Sequence, residues 1–312
     1  MPDQTKPRGV ILSHRGVLRV SGPDRVAFLQ GLVSNDVEAV SSSRSVWAAF
    51  LTPQGKFLHE FFVTEEHPGN SEGAEAGGER ALLIDCEAGR RADLQRRLKL
   101  YKLRSQVQVE DAQSDYCIAA LFGEEALSSL DLEPTPGSSA NLGAGRVFVD
   151  PRMTELGARA ILPSGNAEAI LRDAGFETAS RDEYDCLRSE LGVPDGSRDL
   201  EVEKSTLLEN GFDELHGVDW DKGCYMGQEL TARTKYRGLV KKRLLPAEIS
   251  GPTPEPGTPL LSGNKEVGIM RSAVAQKGLA TVRLDALQDS GFAELRAGEA
   301  QITVRKPVWM HN

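Results

Sequence analysis

From Gly238 to the C-terminus the chain shows no helical period. It reads instead as short strand-like runs, Lys242 to Ile249, Thr258 to Leu261, Glu266 to Ser272, Gly278 to Leu284 and Ile302 to Arg305, divided by glycine and proline turns. Such spacing predicts a small closed or nearly closed antiparallel β-barrel. Residues 241–312 are therefore expected to form a unit of their own.

The preceding part of the chain alternates strands with helices. Val17 to Ser21 is a β-branched run, and Gly22-Pro23-Asp24 opens a helix with Val26, Leu29 and Val33 on one face. Thr52-Pro53-Gln54-Gly55 is a turn between strands Trp47–Leu51 and Lys56–Val63, which together make a hairpin. The glycine-rich segment 65–80 reads as a surface loop, and a basic helix follows from about Arg90 to Tyr101, its cations a solvated face. With a length of 312 residues pointing to about two domains, the expected class is α+β. An N-terminal subdomain covers 1–113 and a second α+β subdomain 114–179. Within the latter, strands fall near 117–121, 146–149 and 158–162, a helix near 166–174, and a Pro/Gly/Ser-rich loop at 133–145. Residues 180–240 contain a helix opened by a capping box, Ser180 and Glu183, with Tyr184, Leu187 and Leu191 on one face and Gly192 and Pro194 at its end.

Charge and cysteine usage exclude several classes. With 37 Lys and Arg against 46 Asp and Glu, the net charge is −9, which argues against a general nucleic-acid coat, and no direct DNA binding is expected. No run approaches the ~18 uncharged apolar residues of a span, and Met1 to Ile11 lacks a signal-peptide core, so the reading is a soluble cytoplasmic monomer without a membrane partner. Cys86, Cys117, Cys186 and Cys224 lie 31, 69 and 38 residues apart, with neither C-x-x-C pairs nor zinc-finger histidines. No intrinsic metal site is evident, and so few cysteines suit a reducing compartment.

The segment Asp221-Lys222-Gly223-Cys224-Tyr225-Met226-Gly227-Gln228-Glu229 carries the chemistry. Two glycines bracket a cysteine, so the backbone can turn tightly and approach a ligand or another strand. Helix-compatible residues begin at Gln228, which sets Cys224 just before a helix N-terminus and near Lys222, two features that favour the thiolate. The same residues also suit a small cysteine packed in a turn. From Lys222 to Arg243 seven cations face one acid, Glu229, a local balance of +6 that leaves −15 for the remainder. This strip is either an anion-docking surface or a run of solvated lysines and arginines.

Lys222 to Glu229 resembles the K-G-C-Y-x-G-Q-E signature of the YgfZ family of folate-binding proteins, whose mitochondrial relatives act in iron–sulfur cluster assembly. Leu230 to Arg243, Tyr184 to Arg188 with Gly192-Val193-Pro194, and Gly16 to Asp36, ending in Val33-Ser34-Asn35-Asp36, are similar to the same family. The wider superfamily is that of the glycine-cleavage T-protein, an aminomethyltransferase that uses tetrahydrofolate. The resemblance implies α+β subdomains ringed around a folate-sized opening, with a C-terminal barrel. It implies Cys224 as the reactive group with Lys222 beside it. It also implies Arg15, Glu60, Tyr184, Tyr225, Gln228, Glu229, Arg233 and Arg237 as contacts for tetrahydrofolate and its carboxylates. The chain departs from the T-protein at His59-Glu60, where that protein has paired aspartates, and at 150–161, where its T-G-E-x-G-x-E stretch has no counterpart.

The function this resemblance implies is assembly or maintenance of iron–sulfur proteins, with carrier proteins, client iron–sulfur enzymes and reduced folate as partners. Two alternatives stay open: a folate-dependent aminomethyl transferase, and a non-catalytic adapter linked to tRNA-modifying iron–sulfur enzymes.

Overall fold

A computed structural model describes residues 6–66, 80–286 and 295–310. Most of the segment read as a glycine-rich loop therefore lies outside the described residues. The chain begins with β1 (Arg8–Ile11), β2 (Arg15–Ser21), α1 (Arg25–Gln30), β3 (Val46–Leu51), β4 (Phe57–Glu65) and β5 (Leu82–Glu87). It continues through α2 (Arg91–Tyr101), β6 (Gln108–Asp111), β7 (Tyr116–Phe122), α3 (Ala126–Ser129), β8 (Ser139–Leu142) and β9 (Gly145–Val149). Then come β10 (Ala158–Pro163), α4 (Ala167–Asp173), β11 (Glu177–Thr178), α5 (Arg181–Leu191) and α6 (Gln228–Tyr236). The last strands are β12 (Lys242–Ser250), β13 (Pro259–Ser262), β14 (Lys265–Val274), β15 (Lys277–Arg283), β16 (Leu295–Ala297) and β17 (Ala300–Val304).

These strands build the expected α+β class. A five-stranded sheet has the order β3-β4-β5-β2-β6, and a six-stranded sheet the order β11-β1-β7-β10-β9-β8. The C-terminal runs close into the barrel β12-β15-β14-β13-β16-β17, filled by Leu245, Leu260, Met270, Val282, Ile302 and Val304. Closure leaves no unpaired edge, which is how strands this short become stable. By contacts the chain divides into two compact units, each discontinuous in sequence. The first comprises 1–50, 59–181 and 216–226; the second comprises 51–58, 182–215 and 227–312.

Five strands, β1, β6, β8, β11 and β16, go beyond the sequence reading. β1 pairs antiparallel with β7 across more than 100 residues of chain and parallel with β11, so the six-stranded sheet takes in an N-terminal strand. β8 lies inside the segment 133–145 read as a loop and pairs with β9, while β6 and β16 are short partners of β2 and β17. Helix α5 also differs from its expected apolar face, because its buried side chains are Tyr184, Asp185, Arg188 and Ser189. Arg188 is held there by Asp185 (2.7 Å), Asp199 (2.8 Å) and the Ser272 hydroxyl (2.9 Å), and Arg198 also pairs with Asp185. A buried guanidinium needs such partners, and here Asp185 supplies one from within the helix while Asp199 and Ser272 reach it from outside.

Candidate functional site

In the first unit, the loop 216–226 is built onto the residues that follow α1. The Ser34 hydroxyl donates to Gly217 O (2.6 Å) and accepts from the Ala49 amide, while Ser34 O accepts from the Asp219 amide. The Asn35 side-chain amide donates to His216 O and to Trp47 O, both at 2.7 Å. Asp219 Oδ1 receives the amides of Asp221 and Lys222, each at 2.8 Å, which turns the backbone sharply. Val33-Ser34-Asn35-Asp36 and the cysteine segment, far apart in sequence, thus form one structure.

Lys222 completes it. Its Nζ donates to Gln30 O (2.9 Å) at the end of α1 and to Val33 O (2.8 Å) and Asn35 O (2.6 Å) in the segment that follows it. Burial lowers its pKa to about 8 against the opposing pull of Asp36, Asp219 and Glu38. The ammonium has three protons and three carbonyl acceptors, so the geometry makes Lys222 a positioning residue. Next to it, Cys224 is exposed and Tyr225 is buried, with the Lys222 ammonium 5.4 Å from the Tyr225 ring centroid. The thiol therefore stands on a backbone pinned on both sides. Replacing Lys222 by methionine is expected to cost about 2 kcal/mol, because charge-assisted bonds are lost and carbonyls are left unmet. Arginine should not restore it, since a planar guanidinium cannot aim three donors from one atom at three separate carbonyls. Urea unfolding checks both variants, and an arginine variant as stable as the native chain would contradict the tripod.

The other thiols are less suited to chemistry. All four cysteines are free, and burial raises the pKa of Cys86 strongly, that of Cys117 to about 11 and that of Cys186 as well. Among the described residues no three His, Cys, Asp or Glu side chains converge as a metal site.

Arg15 and Glu60 also belong to the first unit, both 2% exposed. The Arg15 guanidinium pairs with Glu60, donates to Asp85 Oδ1 (2.6 Å) and to Asp85 O (2.8 Å), and lies over Phe62. Arg159 donates twice to Asp85 Oδ2 and stacks 4.2 Å from the Phe62 centroid. Arg152 pairs with Asp150 at 2.7 Å and lies 4.9 Å from that centroid, and Trp47 Nε1 donates to Glu60 Oε2. Three buried cations thus meet three buried anions around one aromatic ring. Desolvation alone would raise the Asp85 pKa, but Arg15 and Arg159 outweigh it and hold the carboxyl below its usual range. The adjacent His59 is pushed down to about 4, by burial first and then by Arg90, despite its 3.0 Å contact with Asp93.

The remaining predicted residues lie in the second unit. Tyr184 is 4% exposed on α5. Gln228 and Glu229 open α6 as the sequence indicated, with Gly227 as its N-cap at φ 81°. A Cβ on Gly227 would sit 2.6 Å from Thr52 O and 2.9 Å from Gly55 Cα, and one on Gly55 would sit 2.8 Å from Gly227 O. The hairpin turn and the helix start touch through two glycines, so this glycine of the motif serves a backbone crossing. Gly223 has open space around it.

The basic strip is less positive in space than in sequence. Arg233 pairs with Glu229, Lys235 with Asp213 (3.1 Å), and Arg243 with Glu214 and Leu208 O. Lys242 lies 3.9 Å from Glu209. Counting charges along one stretch omits the acids that folding brings to it. Arg237 and Lys241 remain exposed without an ion pair among the described residues.

Comparison with known proteins matches residues 241–312 to the model of the CAF17 C-terminal beta-barrel domain. The human mitochondrial iron–sulfur cluster assembly factor IBA57 is 32% identical over 95% of this chain and 83% of its own length. A mitochondrial IBA57 homologue of Mycosarcoma maydis is 38% identical over 75% of this chain and 55% of its own, so the chain spans about half the length of that fungal relative. The glycine cleavage aminomethyltransferase T of Bartonella henselae superposes with a TM-score of 0.74 at 16% identity, covering 98% of this chain and 87% of that one, a likeness of fold. The expected cytoplasmic location is corrected by these names, since the relatives are mitochondrial factors.

Proposed function

The chain belongs to the family of the IBA57 iron–sulfur cluster assembly factors, and from that premise we propose that it serves the assembly or maintenance of iron–sulfur proteins through Cys224. The observation that carries this reading is an exposed thiol held on the loop that Lys222 pins to α1, while the other three thiols are buried or half-buried. As a thiolate, Cys224 can ligate iron, or attack the outer sulfur of a donor persulfide, whose S–S bond breaks as the donor leaves as a thiolate. One thiolate supplies one of the four ligands a cluster needs, so a shared cluster would draw its other ligands from a carrier or client protein. The finer YgfZ-type assignment belongs to this proposal and rests on the segment Lys222 to Glu229.

Reduced folate enters the proposal in a narrower form than the sequence suggested. Arg15 and Glu60 are buried partners of one another and do not fit as contacts for a pterin or a glutamate carboxylate. Exposed Arg237 can pair with a carboxylate, and calorimetry with tetrahydrofolate on native and Arg237→Ala chains tests that role.

The test of the main reading is complementation of cells lacking their own homologue, scored by iron–sulfur enzyme activity. Cys224→Ala is expected to match the native chain in thermal stability, because the side chain is exposed, and yet fail to restore activity. Limiting iodoacetamide should label Cys224 before Cys86, Cys117 and Cys186. Full rescue by Cys224→Ala would leave the adapter reading in its place.

A further inference from the structure

The C-terminal end of α2 exposes apolar side chains of a kind the molecule otherwise tends to bury. Leu100 is 64% exposed, Tyr101 40% and Leu103 88%. Cations alternate with them in the run Lys99-Leu100-Tyr101-Lys102-Leu103-Arg104. Arg96 and Arg97, one turn earlier, are held by Asp93, whereas Lys99, Lys102 and Arg104 have no ion-pair partner among the described residues.

Leu103 carries a second anomaly. Its φ is 42°, in the left-handed region, directly after the C-cap Lys102, where helices commonly place glycine. A leucine there strains the backbone while leaving its side chain in water, so it favours neither the helix end nor the core. Strain of this kind is retained where a side chain meets something outside the fold.

We infer that this tip is a peripheral docking surface for an anionic phospholipid bilayer, with Leu100, Tyr101 and Leu103 entering the headgroup region and Lys99, Lys102 and Arg104 meeting the lipid charge. Leu100 and Leu103 project into solvent, and Tyr101 keeps an exposed edge while its ring packs against Phe50, which suits a fluid surface that needs no shaped pocket. Leucine and tyrosine interleaved with lysine and arginine is the composition of interfacial anchors. A second copy is disfavoured, because a two-fold contact would set these cations against themselves. An overall charge of −9 limits the attraction to the tip and makes it reversible. No described helix is long and apolar enough to cross a membrane, so the contact is peripheral. The sequence-based expectation of no membrane partner rested on missing spans and does not address such a contact.

Sedimentation of the full chain with vesicles tests this. Vesicles of phosphatidylcholine with phosphatidylserine should bind it at low salt, phosphatidylcholine alone should not, and salt should weaken the binding. Leu103→Gly suits the left-handed backbone and should keep or raise thermal stability, yet lower the partition coefficient roughly ten-fold. Lys102→Gln and Arg104→Gln should each lower it about five-fold. Equal binding to both lipids, or unchanged binding by Leu103→Gly, would overturn the inference. So would absent vesicle binding together with self-association that Leu103→Gly abolishes, which would make the tip a contact between copies.

Discussion

Asp85→Ala should lower the stability of the chain by about 3–5 kcal/mol, the usual cost of removing one partner from a buried ion pair. Asp85 is fully buried and meets two guanidiniums, those of Arg15 and Arg159. Without it, Arg15 still has Glu60, and Arg159 loses the carboxylate oxygen that receives two of its bonds. Adding Arg159→Met should recover part of the loss by removing a buried guanidinium that has lost that carboxylate. Urea unfolding of the single and double variants measures both effects. A single-variant loss below about 1 kcal/mol would mean that water reaches the cluster and screens it.

Acid should weaken the fold through His59, which is 2% exposed. Its native pKa of about 4 lies below the ordinary 6.5, so between those values the unfolded chain takes up a proton that the native chain refuses. Stability from this group is therefore fully present above pH ~6.5 and falls as pH drops toward 4, by about 3 kcal/mol in all. Below pH ~4 the native chain protonates too, and this contribution to the slope ends. Unfolding followed at several pH values should show a shallower decline for His59→Gln than for the native chain, whatever the variant's starting stability. Parallel declines would place the acid sensitivity in other groups.

Much of the fold was legible in the sequence because it is local. The hairpin around Thr52 to Gly55, the start of α6 at Gln228 and the runs of the barrel follow from turn residues and period alone. What was not legible depends on partners distant in the chain. β1, β6, β8 and β16 are three to four residues long and are strands only because a neighbour supplies the ladder. Helix α5 was read by its apolar spacing, but Asp185 and Arg188 are buried because Arg198, Asp199 and Ser272 meet them.

The candidate site divides in the same way. The exposed position of Cys224 fits its glycine-flanked segment, whereas the role of Lys222 depended on carbonyls some 190 residues upstream. Ser34-Asn35-Asp36, just beyond a helix, was the available signal, since such side chains commonly bind nearby backbone. The +6 strip was overestimated for the complementary reason, because Asp213, Glu209 and Glu214 reach it only in three dimensions.

The division of the chain into interleaved segments bears on how it is made. The first unit is not complete at residue 181, because it also needs 216–226, and residues of the second unit are synthesised in between. At about 5–20 residues per second, a ribosome takes roughly 2 to 9 seconds to pass from 181 to 226. Through that interval the carbonyls of Gln30, Val33 and Asn35 wait for Lys222, and Ser34 waits for Gly217. The nascent first unit must persist with that edge open, and the stretch that closes it is the one that delivers Cys224. Exposure of the thiol and closure of its support thus arrive together, late in translation.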